Sequence, residues 1–177
     1  MKRTSGDFRK RFWLTLGLVA MITLVASGPI LAAGLTQAEI DDLVYMREEE
    51  KLARDVYIAL YDNWGLAIFN NIASSEQKHM DAIKTLLVRY GIPDPAKGPG
   101  EFTNTDLLAL YNTLVAQGGA SVVEALKVGV IIEETDIDDL EEALGDTNHK
   151  DIIRVYTNLK AGSLNHLKAF NSQLGND

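Results

Sequence analysis

The sequence predicts an all-α fold: a four-helix bundle with a long crossover, itself containing a short helix, between the second and third helices. Three observations predict it. Apolar residues recur at the alternating three and four spacing of a helix seam over four long stretches. Capping residues open these stretches and glycines close them. No stretch reads as a strand, because even the β-branched run "VGVII" sits inside helical periodicity with charges on both sides.

The elements follow in order. Thr36-x-x-Glu39 has the form of a capping box, and the pattern behind it runs without Gly or Pro to Trp64-Gly65. A second helix fits Ile68 to Tyr90, closed by Gly91 and Pro93. The next stretch, "GIPDPAKGPGEFTN", is too rich in Pro and Gly to be anything but a loop. The short helix "TDLLALYNTLVAQ" comes next, ended by Gly118-Gly119. Ser121-x-x-Glu124 opens a third long helix reaching about Leu144, and "GDTN" separates it from a fourth, Lys150 to Leu174. A connection of roughly 30 residues between the second and third long helices lets those two run parallel.

Composition narrows the function classes. At 177 residues the chain is long enough for one domain with a real core. The net charge of -8 argues against a nucleic-acid surface, which needs clustered Lys and Arg. With no cysteine, any metal would be held by oxygen and imidazole. The N-terminus reads differently. Lys2, Arg3, Arg9, Lys10 and Arg11 precede the apolar "FWLTLGLVAMITLVA", and Pro29, Ala32, Ala33 and Gly34 follow. That is the layout of a secretory signal, with an uncleaved membrane anchor as the alternative. The expected division is residues 1–34 as signal or anchor and 35–177 as an exported helical domain: secreted, periplasmic or at the cell surface. The domain lacks the basic amphipathic face of a lipid-binding helix.

The seams carry polar intruders. In the first helix Glu50 falls on the stripe of Leu43, Met46, Ala53, Tyr57 and Leu60. Glu48 and Glu49 lie about 200° and 100° around the helix from it and are expected at the surface. In the second helix Glu76 and His79, one turn apart, interrupt Phe69, Ile72, Ile83 and Leu86. Glu133 stands among Leu126, Val130, Ile137, Leu140 and Leu144 in the third, and Ser163 and His166 among Ile152, Tyr156, Leu159, Phe170 and Leu174 in the fourth. A buried carboxylate without a partner costs several kcal/mol, so an ionisable group turned inward on every long helix calls for a shared cation. Glu and neutral His suit iron, manganese or zinc.

Each residue also has a plainer reading. Glu50 can pair with Arg54 or a lysine across the helices, and His166 can be a hydrogen-bonded core histidine. His149 falls in the polar loop "GDTNHKD" near a helix cap, and the acidic run 133–142 reads largely as a solvated face. Tyr57 and Tyr156 are core residues by default, with a hydrogen-bond role beside a metal as the alternative.

"Glu50-x-x-Ala53-Arg54-x-x-Tyr57" and "Ala73-x-x-Glu76-x-x-His79" resemble the first two metal helices of rubrerythrin-type ferritin-like proteins. "Ile152-Ile153-Arg154-Val155-Tyr156", ahead of His166, resembles the approach to that family's second Glu-x-x-His. Leu35 to Leu174 also resembles an uncharacterised exported ferritin-like family marked by "EEEKLARDVY", "IEETDIDDL" and "GSLNHLKAF". The resemblance implies a ferritin-like bundle with a di-iron-type carboxylate site holding two transition-metal ions, iron or manganese. Glu50 would be a terminal ligand, Glu76 a bridging ligand beside His79, Glu133 the third-helix carboxylate and His166 the imidazole of the other metal. It implies oxidase or peroxide-reducing activity with an external electron donor. Oligomerisation stays open, and so does a non-catalytic binding or envelope module with a degenerate site.

Two departures stand out. Ser163 occupies the position of the second bridging Glu, which leaves the site one carboxylate short unless Asp136 or Glu134 substitutes. Counted from the turn near Gly145 to Thr147, Glu133 and His166 are offset by about 10 Å along the helix axis.

Overall fold

The computed structural model describes residues 34–175, and among them there are helices and no strands. We number them α1 (Gln37–Trp64), α2 (Ala67–Tyr90), α3 (Thr105–Gly118), α4 (Val122–Gly145) and α5 (Lys150–Leu174). The expected signal or anchor falls on residues that lie outside the described ones, apart from Gly34.

Local chemistry sets the boundaries. Thr36 and Glu39 form the capping box of α1: the Glu39 N–H donates to Thr36 Oγ1 at 3.2 Å, and the Thr36 N–H donates to Glu39 Oε2 at 2.8 Å. The helix ends at Gly65, whose φ of 65° is a conformation open to glycine at little cost. Asn104 caps α3 and Ser121 caps α4 by accepting from amides of the first turn. His149 is the N-cap residue of α5 but provides no side-chain cap.

The four long helices close a ring of contacts, α1 with α2, α2 with α5, α5 with α4, and α4 with α1. The short α3 leans on α1 and α4. Two apolar clusters fill the inside. One joins Val56, Tyr57, Leu60, Phe69, Ile72, Leu126, Ile132 and Phe170. The other joins Leu43, Met46, Ile83, Leu86, Leu140, Ile152, Tyr156 and Leu159. Along each long helix the switch from one cluster to the other falls at the same place, around Glu50, Glu76–His79, Glu133–Asp136 and Ser163–His166. The polar intruders therefore form a single layer between two dry ones.

Glu48 and Glu49, expected at the surface, are buried. The seam periodicity detects only the face toward the other long helices, whereas α1 is also covered by the crossover and α3. Glu48 accepts the backbone N–H groups of Thr103 at 2.6 Å and Asn104 at 3.0 Å. Arg47 donates two bonds to Asp94, and Asp55 accepts from the Gly100 N–H. Lys51, fully buried, bonds Asp55 and lies 4.1 Å from the centre of the Phe102 ring. Thus most of the charges in "REEEKLARDVY" fasten the crossover to α1.

A candidate metal centre

The polar layer is built by four helices. Glu50 comes from α1, Glu76 and His79 from α2, Glu133 and Asp136 from α4, and Ser163 and His166 from α5. Three and four residue spacings put each helix's contributions on one face. All four carboxylates and Ser163 are at most 5% exposed, while the two imidazoles keep 12% side-chain exposure.

The five residues singled out in the sequence come together. His79 Nδ1 lies 2.7 Å from Glu76 Oε2 and 3.2 Å from Glu50 Oε2. His166 Nδ1 lies 2.8 Å from Glu76 Oε1 and 3.5 Å from Glu133 Oε2. This makes two triads of potential ligand atoms, Glu50–Glu76–His79 and Glu76–Glu133–His166, sharing Glu76 through its two oxygens. The imidazole rings stack with centres 5.6 Å apart.

Glu133 and His166 thus meet despite the expected axial offset. Counted from the helix ends, Glu133 stands 12 residues before Gly145 and His166 16 after Lys150. The difference of four residues is about 6 Å, and side chains leaning toward their own N-termini converge in this antiparallel pair. The acidic run divides as well: Glu134 is exposed, whereas Asp136 is buried and takes the core position expected of Ile137.

The bonds around the layer suit ligands better than core hydrogen bonding. A ring nitrogen donates one proton to one acceptor, yet each Nδ1 faces two carboxylate oxygens. Although His166 Nδ1 and Glu76 Oε1 are 2.8 Å apart, the angle is wrong for a hydrogen bond, and both atoms are buried without one. Glu50 Oε1 and Asp136 Oδ1 are also buried and unbonded. Nor does Arg54 neutralise Glu50, since it donates to Asp55 and Gln77. Among the described residues no Lys or Arg pairs with the four carboxylates of the layer.

Electrostatics reflects this crowding. Burial, then the charge of Asp136, pushes Glu50 well above the usual carboxylate range. Burial, with the charge of Glu76, raises Glu133 to about 7, and burial plus Glu133 raises Asp136 to about 8. Glu76 is the exception: burial opposes ionisation, but the two imidazoles outweigh it and bring it down to about 2. Desolvation lowers His166, but Glu133 and Glu76 more than compensate and raise it to about 9. Glu76 is therefore the ionised hub between two imidazoles.

Three further groups support the layer: Tyr57 takes the hydrogen-bonding role its sequence reading left open, Ser163 stands on the fourth seam as expected, and Gly162 was not singled out in the sequence. Tyr57 donates from its hydroxyl to Glu133 Oε1 at 2.6 Å, leaving Oε2 toward His166. Ser163 donates to Asp136 Oδ2 at 2.5 Å, so the position where the resemblance implies a bridging carboxylate carries a hydroxyl held against an aspartate. Gly162 makes room for the His79 ring, because a Cβ there would stand 2.6 Å from Nε2. A glycine inside the fourth seam, "AGSLNH", is the sequence signal for that close approach. His149 bonds the Gly34 carbonyl at 3.2 Å and takes no part in the layer.

Fold and site together define an all-helical protein with a buried carboxylate–imidazole cluster. Residues 39–177 match a family described as an uncharacterized protein domain (DUF2202), and the chain belongs to that family. It is 53% identical over 144 residues to uncharacterized protein MJ0754 of Methanocaldococcus jannaschii, spanning 80% of this chain and 78% of the relative. The crystal structure of hypothetical protein MJ0754 from Methanococcus jannaschii matches with a TM-score of 0.79 at 49% identity, covering 87% of this chain and 86% of that one. A DUF305 fragment from Deinococcus radiodurans matches at TM-score 0.59 and 14% identity, over 79% of this chain and 97% of the fragment, a likeness of fold alone.

Proposed function

We propose that the chain is an exported ferritin-like metal-binding protein in which the four long helices hold two transition-metal ions, iron or manganese, in a di-iron-type carboxylate centre. The observation that carries this reading is the pair of buried triads sharing Glu76, with ligand-type atoms that lack hydrogen bonds. In a dry interior such groups become affordable when a cation binds them. The ring of contacts among the long helices supports the ferritin-like arrangement. Export rests on the basic and apolar pattern of residues 1–34.

When bound, two redox-active ions supply the electron transfer by which dioxygen or peroxide is reduced. The chain's own groups do the rest. Glu76 spans the two triads, and Glu50 and Glu133 close them on either side. Tyr57 fixes the rotamer of Glu133 by its hydrogen bond. The apolar clusters keep water from both ends of the layer, while the partly exposed imidazole edges give small molecules an approach from the α2–α5 side. Repeated turnover draws electrons from an external donor, since the chain has no cysteine to ligate a centre of its own.

One observation favours a second reading, a non-catalytic helical module with a degenerate site: Ser163 offers no charge where a bridging carboxylate would stand. Iron oxidation separates the two. Apo-protein loaded anaerobically with Fe(II) and then given oxygen or peroxide is expected to oxidise it faster than buffer, and Glu76→Gln to lose that acceleration. Oxidation no faster than in buffer contradicts the catalytic reading and favours the second.

A further inference from the structure

The proposed centre has a polar flank that its ligands leave unused, between α1 and α4. Glu49, on α1, is 5% exposed and lies close to the charge of Asp139 on α4. Asp139 is half-buried and also accepts from the Tyr45 hydroxyl at 3.3 Å. One turn inward on α4 stands Asp136, against the ligand layer. Glu49 and Asp136 both line a cavity of about 40 Å³ whose other walls, among them Leu52, Ala53 and Ile132, are mostly apolar. Glu49 Oε2 and Asp136 Oδ1 are each buried without a hydrogen-bond partner.

We propose that Asp139, Glu49 and Asp136 form a carboxylate path that carries divalent first-row metal ions from the α1–α4 surface into the centre. The inference rests on the metal-binding reading and adds a station that the ligand set does not contain. A cavity of this size takes two or three water molecules, or an ion that keeps part of its hydration shell. The steps alternate between helices, Asp139 on α4, Glu49 on α1, Asp136 on α4. Glu50, the residue after Glu49, and Glu133, one turn from Asp136, stand next to the end of the path as ligands.

Stopped-flow uptake of Co(II) by the full apo chain tests the path, read from the visible bands of bound cobalt. Glu49→Gln and Asp139→Asn remove charge with little change of shape, and the exposed neighbour Glu134→Gln serves as the control. Both path variants are expected to slow uptake by about tenfold or more, the scale of focused electrostatic attraction. The final cobalt content per chain and the circular-dichroism melt stay as in the parent, and the control leaves the rate unchanged. Uptake at the parental rate in a folded Glu49→Gln protein overturns the path while leaving the centre intact. Unchanged uptake with slower proton release also overturns it, in favour of a proton relay. No cobalt bound by the parent chain overturns the metal-binding reading itself.

Discussion

Gly162 shows how a residue without a side chain can serve a site. A helix interior disfavours glycine by roughly 0.5–1 kcal/mol relative to alanine, so α5 carries it at a cost in local stability. The position is used by the His79 ring, 2.6 Å from where a Cβ would be. Gly162→Ala is therefore expected to leave the apo melting temperature within a few degrees, helix propensity offsetting the clash. Metal affinity should fall about tenfold, the usual scale for losing a group that orients a ligand. Isothermal titration of parent and variant with Mn(II) checks this, and equal affinities would place His79 outside the centre. At the same scale, Glu50, Glu76, His79, Glu133 and His166 were legible in the sequence because each breaks an apolar stripe. Tyr57 was legible only in part: a tyrosine on a stripe reads as core by default, and the hydroxyl bond to Glu133 decides for the hydrogen-bonding alternative.

At the scale of elements, α1 differs most from its sequence reading. Periodicity identified its seam and its caps, but not the second covering layer that buries Glu48, Glu49 and Lys51. Burial by a loop leaves no periodic trace in α1, since segment 91–104 meets its charged side chains with the backbone N–H groups of Gly100, Thr103 and Asn104 and with the ring of Phe102. The register of α4 and α5 was missed for a related reason, as side-chain lean is invisible to residue counting. The crossover is held partly by Asp94, which keeps its carboxyl below the usual range: burial opposes ionisation, and the Arg47 hydrogen bond and charge outweigh it. An acid whose folded value is depressed adds stability above its unfolded value of 3.8, lost as the pH falls through the folded one. Asp94→Asn should therefore cost about 1 kcal/mol near neutral pH and nearly nothing at pH values well below 3. Denaturant unfolding at both pH values measures it, and a pH-independent difference would show that the charge of Asp94 is not what holds the loop.

For the whole molecule, the polar layer divides an otherwise continuous core and sets how the fold responds to pH. Glu133 and Asp136 are raised above their ordinary values of 4.5 and 3.8, so the folded apo-protein binds more protons than the unfolded chain in the window up to about 8. His166, raised from 6.5 to about 9, extends the same sign upward. Apo stability therefore declines as the pH rises from about 5 to 9. Metal ions displace those protons, so binding tightens and the stability gained on loading grows over the same range. Melting curves with and without Mn(II) across these pH values are expected to diverge; parallel curves would mean that the layer stays protonated and unliganded.

The central claim is that the layer is a metal centre and not a set of stranded acids. Elemental analysis of the purified chain, loaded with Fe(II) or Mn(II) and passed through a desalting column, tests it most directly. The two triads predict two ions per chain in the parent, and at most one in Glu76→Gln, which removes the shared carboxylate. A parent chain that retains no transition metal would contradict the account.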